Sequence, residues 1–93
     1  NGLADAADAK RAAFLEEHVA VLEAAEAQGL PVHGYLHWSL VDNFEWLDGW
    51  GPRFGLLELD HESLERRERP SARTFRRLAA AYLGRPPARV ATR

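Results

Sequence analysis

The chain has 93 residues, of which 46% are hydrophobic and 28% charged, with no Cys, no Met and a net charge of −2. These proportions exclude whole-chain disorder, a disulfide framework and a Cys-based zinc site, and they limit the chain to one small domain at most. No apolar run approaches the ~20 residues that cross a bilayer and no basic-then-apolar leader is visible, so a cytoplasmic chain without membrane attachment is expected.

Residues 5–28 are rich in Ala, Glu and Lys/Arg, and predict a helix. Phe14, Leu15, His18, Val19, Leu22 and Ala25 recur at spacings of three and four, which gives it one apolar face. Asp5 and Asp8 suit a first turn, where the helix dipole favours negative charge. Gly29 and Pro31 stop it. Residues 32–40, Val-His-Gly-Tyr-Leu-His-Trp-Ser-Leu, read as a buried strand. Residues 41–53 then mix turn formers with Phe44, Trp46 and Trp50, an unusual content for a loop, because loops normally lie in water.

Phe54 to Asp60 predicts a short strand, His61 to Leu64 a turn, and Glu65 to Arg69 a returning hairpin arm. From Ser71 a second helix is expected, with Phe75, Leu78, Ala79 and Tyr82 on one face and Arg73, Arg76 and Arg77 on the other. Gly84 ends it, and Pro86 and Pro87 prevent its resumption. Residues 1–84 therefore form the structured part, and residues 85–93 are expected to be a tail. The order helix, strand, aromatic loop, hairpin, helix is α/β but not closed, since a lone strand at 32–40 needs neighbours on both edges. The absence of Met fits a processed chain or a piece of a longer one.

Charge is divided along the chain. Residues 1–62 hold three basic and twelve acidic side chains, and residues 63–93 nine basic and two acidic. Such a split is compatible with nucleic-acid binding. It is equally compatible with two surfaces of one fold that meet each other or solvent. The Arg residues fall on a helix with an apolar face, so no nucleic-acid partner is expected.

The segment from Trp38 to Gly49 follows the C-terminal end of the expected strand, where α/β folds bind ligands. Three Trp within 13 residues, interleaved with Asp42, Glu45 and Asp48, form the side-chain set that suits a sugar. The C–H face of a pyranose stacks on an indole, and its hydroxyls seek charged acceptors. The competing reading is structural: the aromatics cap a hydrophobic core and the Asp residues cap turns. Glu45 with Asp42 or Asp48 also has the composition of a catalytic carboxylate pair, but their separation is not readable from the sequence. His33 and His37 are four apart on a strand rather than a helix, and His61 stands alone. All three are read as packing or surface residues, and neither a metal nor a cofactor is expected.

Residues 34–55, which contain Trp-Ser-Leu-Val-Asp-Asn-Phe-Glu-Trp, resemble the C-terminal signature of glycoside hydrolase family 1. The resemblance extends over about residues 1–83, and Arg69-Pro70-Ser71-Ala72 is similar to the archaeal-type branch. It implies the last two βα units of a (β/α)8 barrel and a retaining β-glycosidase acting on β-glucosides or β-galactosides. It implies that Trp38 lies under the glycone in the −1 subsite, that Glu45 holds the O4 and O6 hydroxyls, that Trp46 donates to a ring hydroxyl and that Phe54 lines the pocket. A Glu at position 45 implies unphosphorylated sugars, because a carboxylate repels phosphate. Asn1-Gly2 resembles the residues that follow the nucleophilic Glu of the family. The nucleophile and the acid/base Glu are then both expected outside this chain, in the N-terminal part of the barrel, and no residue here is assigned as catalytic. The alternative is a non-catalytic remnant or split-gene product that serves as an interaction or weak sugar-binding segment.

Overall fold

A computed structural model describes residues 1–84, and the expected tail at 85–93 lies outside the described residues. Helix α1 spans Arg11–Ala27, strands β1 (Leu57–Leu59) and β2 (Arg66–Glu68) form an antiparallel hairpin, and helix α2 spans Pro70–Leu83. A 3-10 turn at Trp46–Asp48 interrupts the long loop.

The second half of the chain forms as its local signals predict. The hairpin turn closes because the Asp60 carboxylate accepts the backbone N–H groups of Glu62 and Ser63, at 2.9 and 3.0 Å. Pro70 takes the first position of α2, where its missing N–H and fixed φ are harmless.

The first half departs from expectation at two places. The first helix begins at Arg11, not near residue 5. Asp5 and Asp8 are instead used as acceptors in the preceding loop. Asp5 accepts the Lys10 N–H at 2.8 Å, and Asp8 adopts a left-handed φ of 55° that turns its carboxylate toward the start of α2. There it accepts the Ser71 N–H at 2.8 Å and the Ser71 hydroxyl at 2.6 Å, capping a helix 63 residues away.

The second departure is the expected strand at 32–40. It survives only as an isolated parallel bridge of Trp38 to Gly2, with a second bridge pairing Val41 to Leu57. A ladder is a property of two neighbours, and this chain brings neighbours only to the end of the segment. The Trp38 N–H reaches the Asn1 carbonyl at 2.7 Å, and the Ser39 N–H reaches that of Phe54 at 3.2 Å.

Among the described residues the buried apolar side chains are Leu15, Leu56 and Ala72, with Tyr35, Phe75 and Leu78 packed against them. In contrast Leu36 is 89% exposed and Leu40 65%. Between the ends of α1 and α2 lies an apolar groove of about 330 Å³ lined by Val19, Leu22, Val32, Leu78 and Tyr82. The helices and hairpin cover one side of the 32–40 segment and leave its other face bare. Among these residues no helix is long and apolar enough to cross a membrane.

The charge division has a structural basis. Asp42 pairs with Arg69, and Glu16 with Arg77, so the acidic first part meets the basic second part. Arg69 is buried in its pair, and Arg11, which pairs with Asp8 inside the first part, is buried as well.

Candidate functional site

The four expected site residues lie on two adjoining stretches. Trp38 ends the extended segment, half exposed, and its indole N–H donates to the Glu45 carboxylate at 3.1 Å. Glu45 opens the 3-10 turn. Its N–H bonds the Gly49 carbonyl at 2.8 Å, and its own carbonyl accepts from Asp48 at 2.9 Å. Trp46 follows, 85% exposed, with a left-handed φ of 48°. That conformation costs an L-residue roughly 1–2 kcal/mol, and such positions concentrate at ligand clamps. Phe54 is half-buried, and its carbonyl holds the Ser39 N–H beside Trp38.

The remaining aromatics of the loop pack on each other. Phe44 and Trp50 meet edge to face with ring centroids 5.6 Å apart, and Trp50 lies 4.2 Å from His61. The loop thus divides into a pair of aromatics in mutual contact, Phe44 and Trp50, and the pair Trp38 and Trp46 next to the Glu45 carboxylate, all four of them exposed.

Beneath the loop is a buried charge network. The Asp42 carboxylate accepts both terminal nitrogens of Arg69 (2.8 and 3.0 Å), one of Arg53 (3.2 Å), and the N–H groups of Gly55 (2.9 Å) and Leu59 (3.3 Å). Arg11, with no exposed surface, pairs with Asp8 at 2.5 Å and donates to the carbonyls of Leu3, Asp5 and Arg53. Sequence patterning misses the positions of both arginines. The available signal for Arg11 is its place four residues before Leu15, on the apolar stripe of α1. For Arg69 it is Pro70, which marks a helix start.

Burial pushes the Asp42 carboxyl up, but Arg69 and the N–H groups of Gly55 and Leu59 outweigh it and hold it below its ordinary 3.8. Asp8 is likewise held low, against burial, by Ser71 and Arg11. His37 moves the other way. It packs near Phe14 and Phe75, its Nε2 is buried without a partner, and burial with the Arg11 charge lowers its pKa from 6.5 to about 4.

The unfolded chain takes up the His37 proton near pH 6.5 and the folded chain only near 4, so stability falls as pH drops through that window. The contribution of ionised Asp8 and Asp42 is present above about 3.8 and is lost as pH falls through their lower folded values. The urea midpoint is therefore expected to decline between pH 6.5 and 4, and His37→Gln to flatten that decline. A midpoint independent of pH across the window would contradict this assignment.

His33 is exposed, and its carbonyl accepts the Tyr82 hydroxyl at 3.2 Å. Among the described residues no group of three or more His, Asp or Glu is arranged to hold a metal ion.

The chain matches the profile of glycosyl hydrolase family 1 over residues 1–82. It is 47% identical over 79 residues to a β-galactosidase of Saccharolobus solfataricus, covering 85% of this chain and 16% of that protein. It is 41% identical over 78 residues to a bifunctional β-D-glucosidase/β-D-fucosidase of Bifidobacterium breve, covering 84% and 17%. The crystal structure of the β-glycosidase from Thermosphaera aggregans superposes with a TM-score of 0.85 at 48% identity, over 86% of this chain and 17% of that one. The chain thus spans about a sixth of the length of these relatives.

Proposed function

The chain belongs to glycosyl hydrolase family 1, and from that membership we propose that it supplies the glycone-binding part of a retaining β-glycosidase. In this reading residues 1–84 are the last two βα units of a (β/α)8 barrel. Helix α1 is the seventh barrel helix, the 32–40 segment the eighth strand and α2 the eighth helix. The bare face of that segment, with Leu36 and Leu40, is the side that the rest of the barrel covers. The substrate class is unphosphorylated β-glucosides and β-galactosides, with β-fucosides accepted as the 6-deoxy counterparts of the galactosides.

The observation that carries the reading is the bond between the Trp38 indole and the Glu45 carboxylate, with Trp46 exposed on the next residue. It joins a flat apolar platform to a charged acceptor, the combination that stacks one face of a pyranose and clamps its rim hydroxyls. Glu45 accepts from the hydroxyls at O4 and O6, Trp46 donates to a ring hydroxyl, and Phe54 forms the wall. Binding energy gathered far from the reacting carbon orients the anomeric centre and contributes most when it strengthens in the transition state.

Retaining hydrolysis also needs two carboxylates about 5–5.5 Å apart across the scissile bond. In this reading both come from the preceding part of the barrel, and the 93-residue chain alone gives no turnover. In the complete enzyme, Glu45→Gln is expected to lower kcat/KM for a β-glucoside by about tenfold or more, the loss of a charge-assisted bond pair. A wild-type value would refute the role of Glu45. Turnover of a chromogenic β-glucoside by the isolated chain would refute its catalytic incompleteness.

A further inference from the structure

Glu45 and Trp46 lie on an exposed loop, yet a clamp works only if its acceptor is aimed. Little around Glu45 holds it there: its carboxylate meets the Trp38 indole, and the backbone bonds at its turn stay within residues 45–49. The root of the loop is held far more firmly. Asp42 lies four residues after Trp38 and three before Glu45, fully buried. Its carboxylate takes five hydrogen bonds from Arg53, Gly55, Leu59 and Arg69, which fill the acceptor sites of a carboxylate. Its backbone N–H bonds the Leu57 carbonyl at 3.2 Å. Arg69 also donates to the Gly55 carbonyl at 2.7 Å, so one guanidinium fork ties the loop root, the stretch after Phe54 and the start of α2 together. No candidate sugar contact is needed to satisfy any of these groups.

We propose that Asp42, through its paired bonds to Arg69, is a positioning residue that sets the placement of the Glu45 carboxylate relative to the Trp38 indole. The inference rests on the reading of Glu45 as the glycone acceptor. Asp42 itself touches no substrate. Displacing a binding group by about 1 Å is enough to cost on the order of a hundredfold in rate, so an anchor three residues away has leverage.

The test uses the complete enzyme with p-nitrophenyl β-D-galactoside and its 6-deoxy counterpart, p-nitrophenyl β-D-fucoside. Asp42→Asn keeps the size of the side chain but removes the charge that both Arg69 nitrogens address. It is expected to raise KM for the galactoside by about tenfold, with a smaller change for the fucoside, which differs only in lacking O6. In a Glu45→Gln background the same substitution should add less than about twofold, because its effect passes through Glu45. Arg69→Lys, which keeps the charge and loses the fork, should follow the same pattern and serves if Asp42→Asn does not fold.

Undiminished multiplication of the two effects would overturn the proposal, as would a loss confined to thermal stability with KM unchanged. A Glu45→Gln enzyme with wild-type kcat/KM would remove the underlying reading as well. Loss in Glu45→Gln with full multiplication by Asp42→Asn would remove only the positioning role.

Discussion

Replacing Arg11 by methionine is expected to lower the free energy of unfolding by about 3–5 kcal/mol, the range for removing one partner of a buried pair. The side chain has no exposed surface and pairs with Asp8, whose own side chain is nearly buried. It also donates to the carbonyls of Leu3, Asp5 and Arg53. Its loss would leave the Leu3 carbonyl without this donor and Asp8 bonded to Ser71 alone, while the Asp5 and Arg53 carbonyls would keep the N–H groups of Asp8 and Asp5. Arg77→Met provides the control. Arg77 pairs with Glu16 at the surface, 61% and 52% exposed, where an ion pair contributes about 0–1 kcal/mol. Urea unfolding of the two variants separates the cases, and equal losses would show that the Arg11 network does not hold the fold.

The second large effect is steric. A Cβ on Gly55 would lie 2.3 Å from the Asp42 nitrogen, 2.5 Å from the Leu57 oxygen and 2.7 Å from the Val41 carbonyl carbon. All three are backbone atoms, so no side chain can swing aside. The stretch after Phe54 would have to separate from the root of the Glu45 loop, breaking the Gly55 bonds to Asp42 and Arg69. Gly55→Ala is expected to destabilise by about 3 kcal/mol or more, the upper end of overpacking. In the complete enzyme it should also depress kcat/KM, because Phe54 and Glu45 move apart. Gly34→Ala is the matched neutral case, with nothing within 4 Å of its Cβ and an expected change within about 0.5 kcal/mol. A Gly55→Ala protein as stable as Gly34→Ala would refute the close approach.

The spacing of Phe75, Leu78, Ala79 and Tyr82 locates α2 because a helical face is written in residues three and four apart. The 61–64 turn is legible because Asp60 closes it with its near neighbours. The order Trp-Ser-Leu-Val-Asp-Asn-Phe-Glu-Trp identifies the family, as similarity over residues 1–82 bears out. The start of α1 is not legible. Asp5 and Asp8 have the composition of a first turn, but Asp8 is held by Ser71, and no local pattern discloses a partner so distant. The expected strand at 32–40 illustrates the same difficulty, since its composition describes a segment to be buried and not whether a neighbour is present to pair with it.

Residue order by itself determined the helix at 70–83, the hairpin, the aromatic loop with its carboxylates and the family, because these reside in contiguous residues. Only the tertiary structure decided that Arg11 and Arg69 lie inside, that Asp42 anchors the loop and that Trp38 and Glu45 meet. The two buried arginines and the Asp42 anchor depend on backbone groups and side chains brought together from distant parts of the chain, and a buried charge is tolerated only where such partners converge; the Trp38–Glu45 contact depends on how the loop between them folds.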